Sequence, residues 1–281
     1  MRTQPLEGPR PGDLYRPRVR FRPALAAVWR SRELIRTLTE RELRARYKQA
    51  ALGFAWAIVT PLAMVVAFSL FLNRFAKVPT HGVPYPLFAY VGLLPWTFFS
   101  SSIASGGGSL LSNNSLLNKV YCPREVFPIS SVVVAAVDSA TSLLAMGVLF
   151  LVYGVAPTSH TVWVPVLLAV QVAFTLGLTF IFSSAVVYVR DIRHAMSLIL
   201  QFGLFVTPVA YGIEMVPGKW RPWYAAMNPL APVIDGYRRT VLLGKAPQWN
   251  LLVPGALTAS VVLVGGYLLF KRLEGGLADV A

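Results

Sequence analysis

Cysteine is nearly absent: Cys122 is the only one in 281 residues. No intrachain disulfide can form, and no redox compartment is indicated. Histidine is scarce as well. His81, His160 and His194 are scattered over different loops, and their spacing assembles no metal motif. The chain holds 12 acids against 26 lysines and arginines, dispersed, with no paired aspartates of the kind a metal-dependent transferase needs. No G-x-x-x-x-G-K-[ST] stretch occurs, so no phosphate cradle of that type is present. Charged residues make up 14% of the chain, against about 25% in soluble domains. No internal repeat is visible, which leaves little support for a secondary transporter.

What is abundant is apolar sequence. Hydrophobic residues make up 55% of the chain. Apolar runs of about 20 residues are candidate bilayer spans. They fall at 51–73, 85–105, 129–153, 161–189, 195–213 and 251–270. The second is broken by Pro95 and a serine cluster, and the fifth is short and contains Thr207 and Pro208. The expected fold is an all-α membrane protein of six transmembrane helices.

The net charge of +14 suggests nucleic acid or anionic lipid as a partner, and its placement decides. Nineteen of the 26 basic residues lie before the first run, between runs two and three, between four and five, or after six. The positive-inside rule puts these segments and both termini in the cytoplasm, beside anionic headgroups. No soluble domain offers a basic face to nucleic acid, so none is expected as a partner. Residues 1–22, rich in Arg and Pro, read as a disordered cytoplasmic tail. Residues 23–49 read as amphipathic interface and coupling helices, 50–272 as the membrane domain, and 273–281 as a C-terminal tail.

Within 23–49, Leu25, Val28, Ile35 and Leu38 share an apolar face, which fits a helix lying in the membrane surface. Thr39 followed by Glu42 resembles a capping box for a new helix. In that helix Arg41, Arg44 and Lys48 share one face, either snorkelling to the lipid surface or docking to an acidic groove on a cytoplasmic partner. The 105–128 connection has three glycines, then a Leu110, Leu111, Leu116, Leu117 pattern closed by Pro123 and Pro128. It reads as a short helix displayed to the cytoplasm. "YVRDIRHA", 188–195, reads as a tight turn on the same side.

The 214–250 loop is rich in Pro and Trp. Asn228 and Pro229 form a start signal. Leu230, Val233, Ile234, Tyr237 and Val241 recur at helical spacing, and Gly244 supplies a stop. An amphipathic helix over 229–243 follows, at the outer interface or dipping into it. Asp138 is the only acid inside an expected span. It reads either as a proton-coupling carboxylate or as a packed polar contact with Ser139, Thr141 and Ser142. Trp56, Phe68, Phe71, Tyr90, Trp96, Phe98, Phe99, Phe202 and Phe205 cluster in spans one, two and five, the spans that Pro61, Pro95 and Pro208 interrupt. They read either as lipid-facing rings or as the lining of a lumen that stacks on sugar faces.

Three segments resemble the ABC-2 type permeases, in the branch that exports O-antigen, teichoic acid, capsule or galactan. They are "LTERELRARYKQAALGFAWAIVTPL" (38–62), "LLSNNSLLNKVYCPREVFP" (110–128), and "TPVAYGIEMVPGKW" through "NPLAPVIDGYRRTVLLG" (207–244). The resemblance covers about residues 35–270. It implies a homodimeric half-transporter in the bacterial cytoplasmic membrane, served by two copies of a separate ABC ATPase that binds ATP and Mg, with a lipid-linked glycan as substrate. It assigns ATPase contact to Arg41, Arg44, Lys48, Leu116, Leu117, Asn118, Lys119, Arg124 and Glu125. It assigns an outer gate to Trp220, Trp223, Tyr224, Asn228, Pro229, Tyr237 and Arg238. This chain itself is then not an enzyme and holds no cofactor or metal. Two other readings share parts of the pattern: an ABC-2 exporter of a drug or small lipid, and a membrane-embedded transferase acting on polyprenyl lipids.

Overall fold

The computed structural model describes residue 26 and residues 28–48, 53–71, 78–117, 122–156 and 158–274. The 1–22 tail and most of the 273–281 tail lie outside the described residues. All regular structure among the described residues is helical. We number the main helices α1 (Arg32–Tyr47), α2 (Trp56–Phe68), α3 (Tyr85–Gly106), α4 (Val126–Tyr153), α5 (Val164–Tyr188), α6 (Ile192–Val206), α7 (Arg221–Met227), α8 (Leu230–Tyr237) and α9 (Trp249–Glu274).

Among the described residues, four helices are long and apolar enough to cross a membrane: α3, α4, α5 with its leading turn from Ser159, and α9. The other two expected spans hold shorter apolar helices, Trp56–Phe71 and Ile192–Val206. At 1.5 Å per residue each rises about 22–24 Å, less than a roughly 30 Å hydrocarbon core. The α6 helix stops because Thr207 is extended (ψ 140°) ahead of Pro208.

The α3 helix is the centre of the bundle. The α2, α4, α5, α6 and α8 helices all pack on it, and most of its residues are buried. Pro95 sits inside α3 without ending it. The α5 and α9 helices form the most extensive pair, and glycine makes their close approach possible. A Cβ on Gly177 would lie 2.6 Å from the Val262 carbonyl, and one on Gly266 would meet the Gly177 carbonyl. Small residues that let backbones touch are the usual device for helix pairing in lipid.

The sequence expectation of a helix start at Thr39 is corrected. The α1 helix runs unbroken through it, and the Thr39 hydroxyl donates to the Ile35 carbonyl at 2.8 Å. Leu34, Ile35 and Leu38 pack with Leu110, Phe127 and Phe270. Thr39 is buried, and its hydroxyl is used within the helix and caps nothing.

Candidate functional site

The basic face of α1 divides. Arg41 donates to the Asn113 side chain in the turn before the Asn114–Leu117 helical turn. Arg44 is 77% exposed, with Glu40 at 3.5 Å its ion-pair partner among the described residues. Lys48 is exposed. Arg46 turns inward. It pairs with Glu42 at 3.4 Å and with Asp138 of α4 at 2.5 Å. The Tyr47 hydroxyl donates to the other Asp138 oxygen at 2.7 Å. Asp138 is thus a packed, charge-paired contact, and this arrangement gives the proton-coupling alternative no support.

A polar cleft of about 520 Å³ lies beside α1, lined by Arg41, Glu42, Ser105, Ser109, Asn113 and Arg193 among others. Burial raises the Glu42 carboxyl above its ordinary range, with Arg46 and then Arg41 opposing the shift. The Arg193 guanidinium lies over Gly108. Side chains of α1, the end of α3, the connection after it, Ser131 of α4 and the start of α6 therefore meet here.

Leu116 is half-buried against the cluster under α1. The Leu117 side chain, Asn118 and Lys119 lie outside the described residues. Arg124 donates to the Glu274 carbonyl at 2.6 Å. Glu125 is 1% exposed, paired with Lys271 at 2.5 Å, and it accepts from Tyr267 at 3.2 Å, so it faces its own α9 helix.

At the other end, α8 is buried from Leu230 to Gly236 among α3, α5 and α9, so it dips into the protein. Its start differs in detail from the expected cap. The Asn228 side chain donates to the Thr207 hydroxyl at 2.9 Å, while the Asn228 carbonyl takes the first helical N–H, from Ala231. Pro229 occupies the N-cap. The helix continues as a π turn, Arg238–Leu242, a local widening often found at functional positions. It stops where Gly244 adopts φ +61°.

Arg238 is buried, 3% exposed. It donates to the carbonyls of Phe88 at 3.2 Å, Pro208 at 2.8 Å and Tyr211 at 2.7 Å, and also to Val209. Its guanidinium lies 3.8 Å from the Phe88 ring centroid. Those carbonyls belong to α3 and to the non-helical segment after α6, where Tyr85 also donates to the Ala210 carbonyl at 3.0 Å. Tyr211 and Tyr224 hydroxyls donate to the last carbonyls of α6. Tyr237 donates to Gln171 at 2.9 Å. Trp220 and Trp223 are exposed. No spacing signal points to Arg238 as buried, because an arginine in a Pro/Trp-rich loop reads as surface.

The nine aromatic residues separate into two sets. Phe68, Tyr90, Trp96, Phe98 and Phe99 are buried within the chain. Trp96 meets Phe99 at 5.5 Å, and Phe99 stacks on Phe174 at 5.7 Å. Trp56, Phe71, Phe202 and Phe205 are 48–66% exposed. They lie on α2, its π extension and α6. Only Met196 is buried in the whole of α6, so its outer face is uncovered in the single chain.

These features define a polytopic α-helical membrane protein with a basic, polar cleft at one end and a partly buried helix at the other. Residues 33–242 match the ABC-2 type transporter family, and the chain belongs to that family. It is a multi-pass protein of the cytoplasmic membrane. It is 33% identical over 254 residues to the O-antigen export system permease protein RfbA of Myxococcus xanthus, covering 90% of this chain and 96% of that protein. It is 30% identical to the protein of the same name from Klebsiella pneumoniae, covering 88% of this chain and 95% of that one. It is 22% identical to the polysialic acid transport protein KpsM of Escherichia coli, covering 85% and 93%.

Proposed function

We propose that this chain is the membrane subunit of an ATP-driven exporter of a lipid-linked polysaccharide. Two copies enclose the pathway, and two copies of a separate ABC ATPase bind from the cytoplasm with their own ATP and Mg. The observation that carries this reading is the joint use of α1, the 106–113 connection and Arg193 to form one basic cleft. Full-length similarity to polysaccharide-export permeases supports it.

In this reading all six apolar helices cross or enter the bilayer, both termini are cytoplasmic, and the domain boundaries follow those expected from sequence. Arg44 and Lys48, without long-range ties among the described residues, meet the ATPase. The exposed faces of α2 and α6 turn toward the second copy. Trp56, Phe71, Phe202 and Phe205 then line the conduit, where flat rings stack on sugar faces and let repeating units pass. Trp220, Trp223 and Tyr224 stand at the outer exit, held by Asn228, Pro229, Tyr237 and Arg238.

ATP binding draws the two ATPase subunits together and pushes on the cleft. Arg46 and Tyr47 transmit the push through Asp138 into α4, and Arg41 through Asn113 into the connection before it. Host cells lacking this chain should retain lipid-linked glycan on the cytoplasmic side and lose it from the surface. Normal surface glycan in such cells would reject the proposal.

A further inference from the structure

A second cavity lies well away from the cleft. It has a volume of about 560 Å³, within the range of ligand sites. The α4 and α5 helices each pack more extensively on α3 than on each other, so a groove opens between them with α3 behind it. Small residues of α4 make the space: Ala136, Ala140 and Gly147 line it, and a Cβ on Gly147 would meet nothing within 4 Å. Leu168 and Val172 form the α5 wall, with Phe98 behind. Leu143 and Leu168 at the rim are about half exposed, so the groove opens sideways.

Most of its polar side chains are already engaged. Gln171 donates to the Pro95 carbonyl at 3.0 Å and accepts from Tyr237 at 2.9 Å. Thr161 donates to the Thr158 carbonyl at 2.7 Å. Ser139 adds a single hydroxyl towards the end away from Thr161. The interior therefore suits hydrocarbon far better than a sugar.

Shape and position select the occupant. The groove runs along α4 from Ala136 to Phe150, a rise of about 21 Å, the reach of one extended acyl chain from an interface past the middle of a roughly 30 Å hydrocarbon core. Its Thr161 and Val164 end lies beside Trp163. That ring packs edge-on against Trp249 at 4.9 Å, a pair of the kind that marks a membrane interface. On the orientation proposed above, this is the outer interface.

We infer that the groove holds one acyl chain of an outer-leaflet phospholipid. The chain rests against Tyr237 and Val241, so the lipid supports the same element that carries Arg238. This rests on the membrane-spanning orientation given under the proposed function.

The test uses the full chain in proteoliposomes containing phosphatidylglycerol with a diazirine midway along one acyl chain. Photolabelled peptides are then mapped. Label should concentrate at 140–147 and 168–172. Gly147→Leu, which fits the open space, should abolish that label, as should Ala140→Leu independently. Both should leave label on Leu257 and Val261, lipid-facing residues of α9 that are 63% and 70% exposed. Groove label no stronger than that on α9, or unchanged in both variants, overturns the inference. Label from a polyprenyl phosphate probe but not from the phospholipid also overturns it. Absence of label on α9 as well would instead remove the spanning orientation, and the inference with it.

Discussion

Arg46 and Asp138 stand 92 residues apart in sequence and meet at 2.5 Å. One belongs to the amphipathic α1 helix and the other to α4, and Tyr47 completes the contact. Both charged side chains are partly buried, at 33% and 16% exposure, so the pair is shielded more than a surface bridge. Asp138→Asn and Arg46→Gln should each loosen α1 from α4. A double-mutant cycle on detergent unfolding should give a coupling of roughly 1 kcal/mol or more. Additive single effects would show that the contact carries no joint role.

Arg238 satisfies four carbonyls at once. Arg238→Ala removes this donor from all four, at about 1–3 kcal/mol for each buried group left unpaired. The protein should fail to accumulate in membranes. Arg238→Lys supplies a charge without the planar fork and should accumulate with a lowered Tm. A normal melting curve for Arg238→Ala would contradict the latch.

The α5–α9 crossing has no room for a side chain. Gly177→Leu should force the helices apart and lower Tm strongly, because its Cβ would meet Val262 backbone. Gly265→Leu is the control, since a Cβ there meets nothing within 4 Å. Thermal melting of the two variants separates crowding from a general effect of bulk. Equal shifts would contradict the account.

The two aromatic sets should separate by readout. Trp96→Ala removes a packed ring and should destabilise by about 3 kcal/mol or more. Trp56→Ala combined with Phe202→Ala and Phe205→Ala should leave stability nearly intact and slow glycan export. Export at the normal rate in that triple variant would remove the lining role.

Much of this arrangement is legible in the sequence because lipid imposes strong patterns. Long apolar runs mark α3, α4, α5 and α9, and helical spacing with a terminal glycine marks the 229–243 segment. Long-range pairing is not legible. The partner of Asp138 lies 92 residues upstream, and that of Glu125 lies 146 residues downstream, so no spacing rule reaches them. Thr39 misleads because a T-x-x-E pattern reports local chemistry, while burial against Leu110 and Phe270 decides where α1 runs. Trp96 and Phe202 look alike in sequence. Only the central position of α3 separates a packed ring from an exposed one.

The central claim is that the basic face of α1 receives an ATPase. The most direct measurement is co-purification of this chain with its candidate ABC ATPase, together with ATP hydrolysis, before and after Arg41, Arg44 and Lys48 are changed to glutamate. The unaltered pair should co-elute stably and hydrolyse ATP. A reversed chain that still inserts in the membrane should lose co-elution. Undiminished association of the inserted, reversed chain would contradict the docking face, and failure of the unaltered chain to associate with any ABC ATPase would contradict the exporter reading.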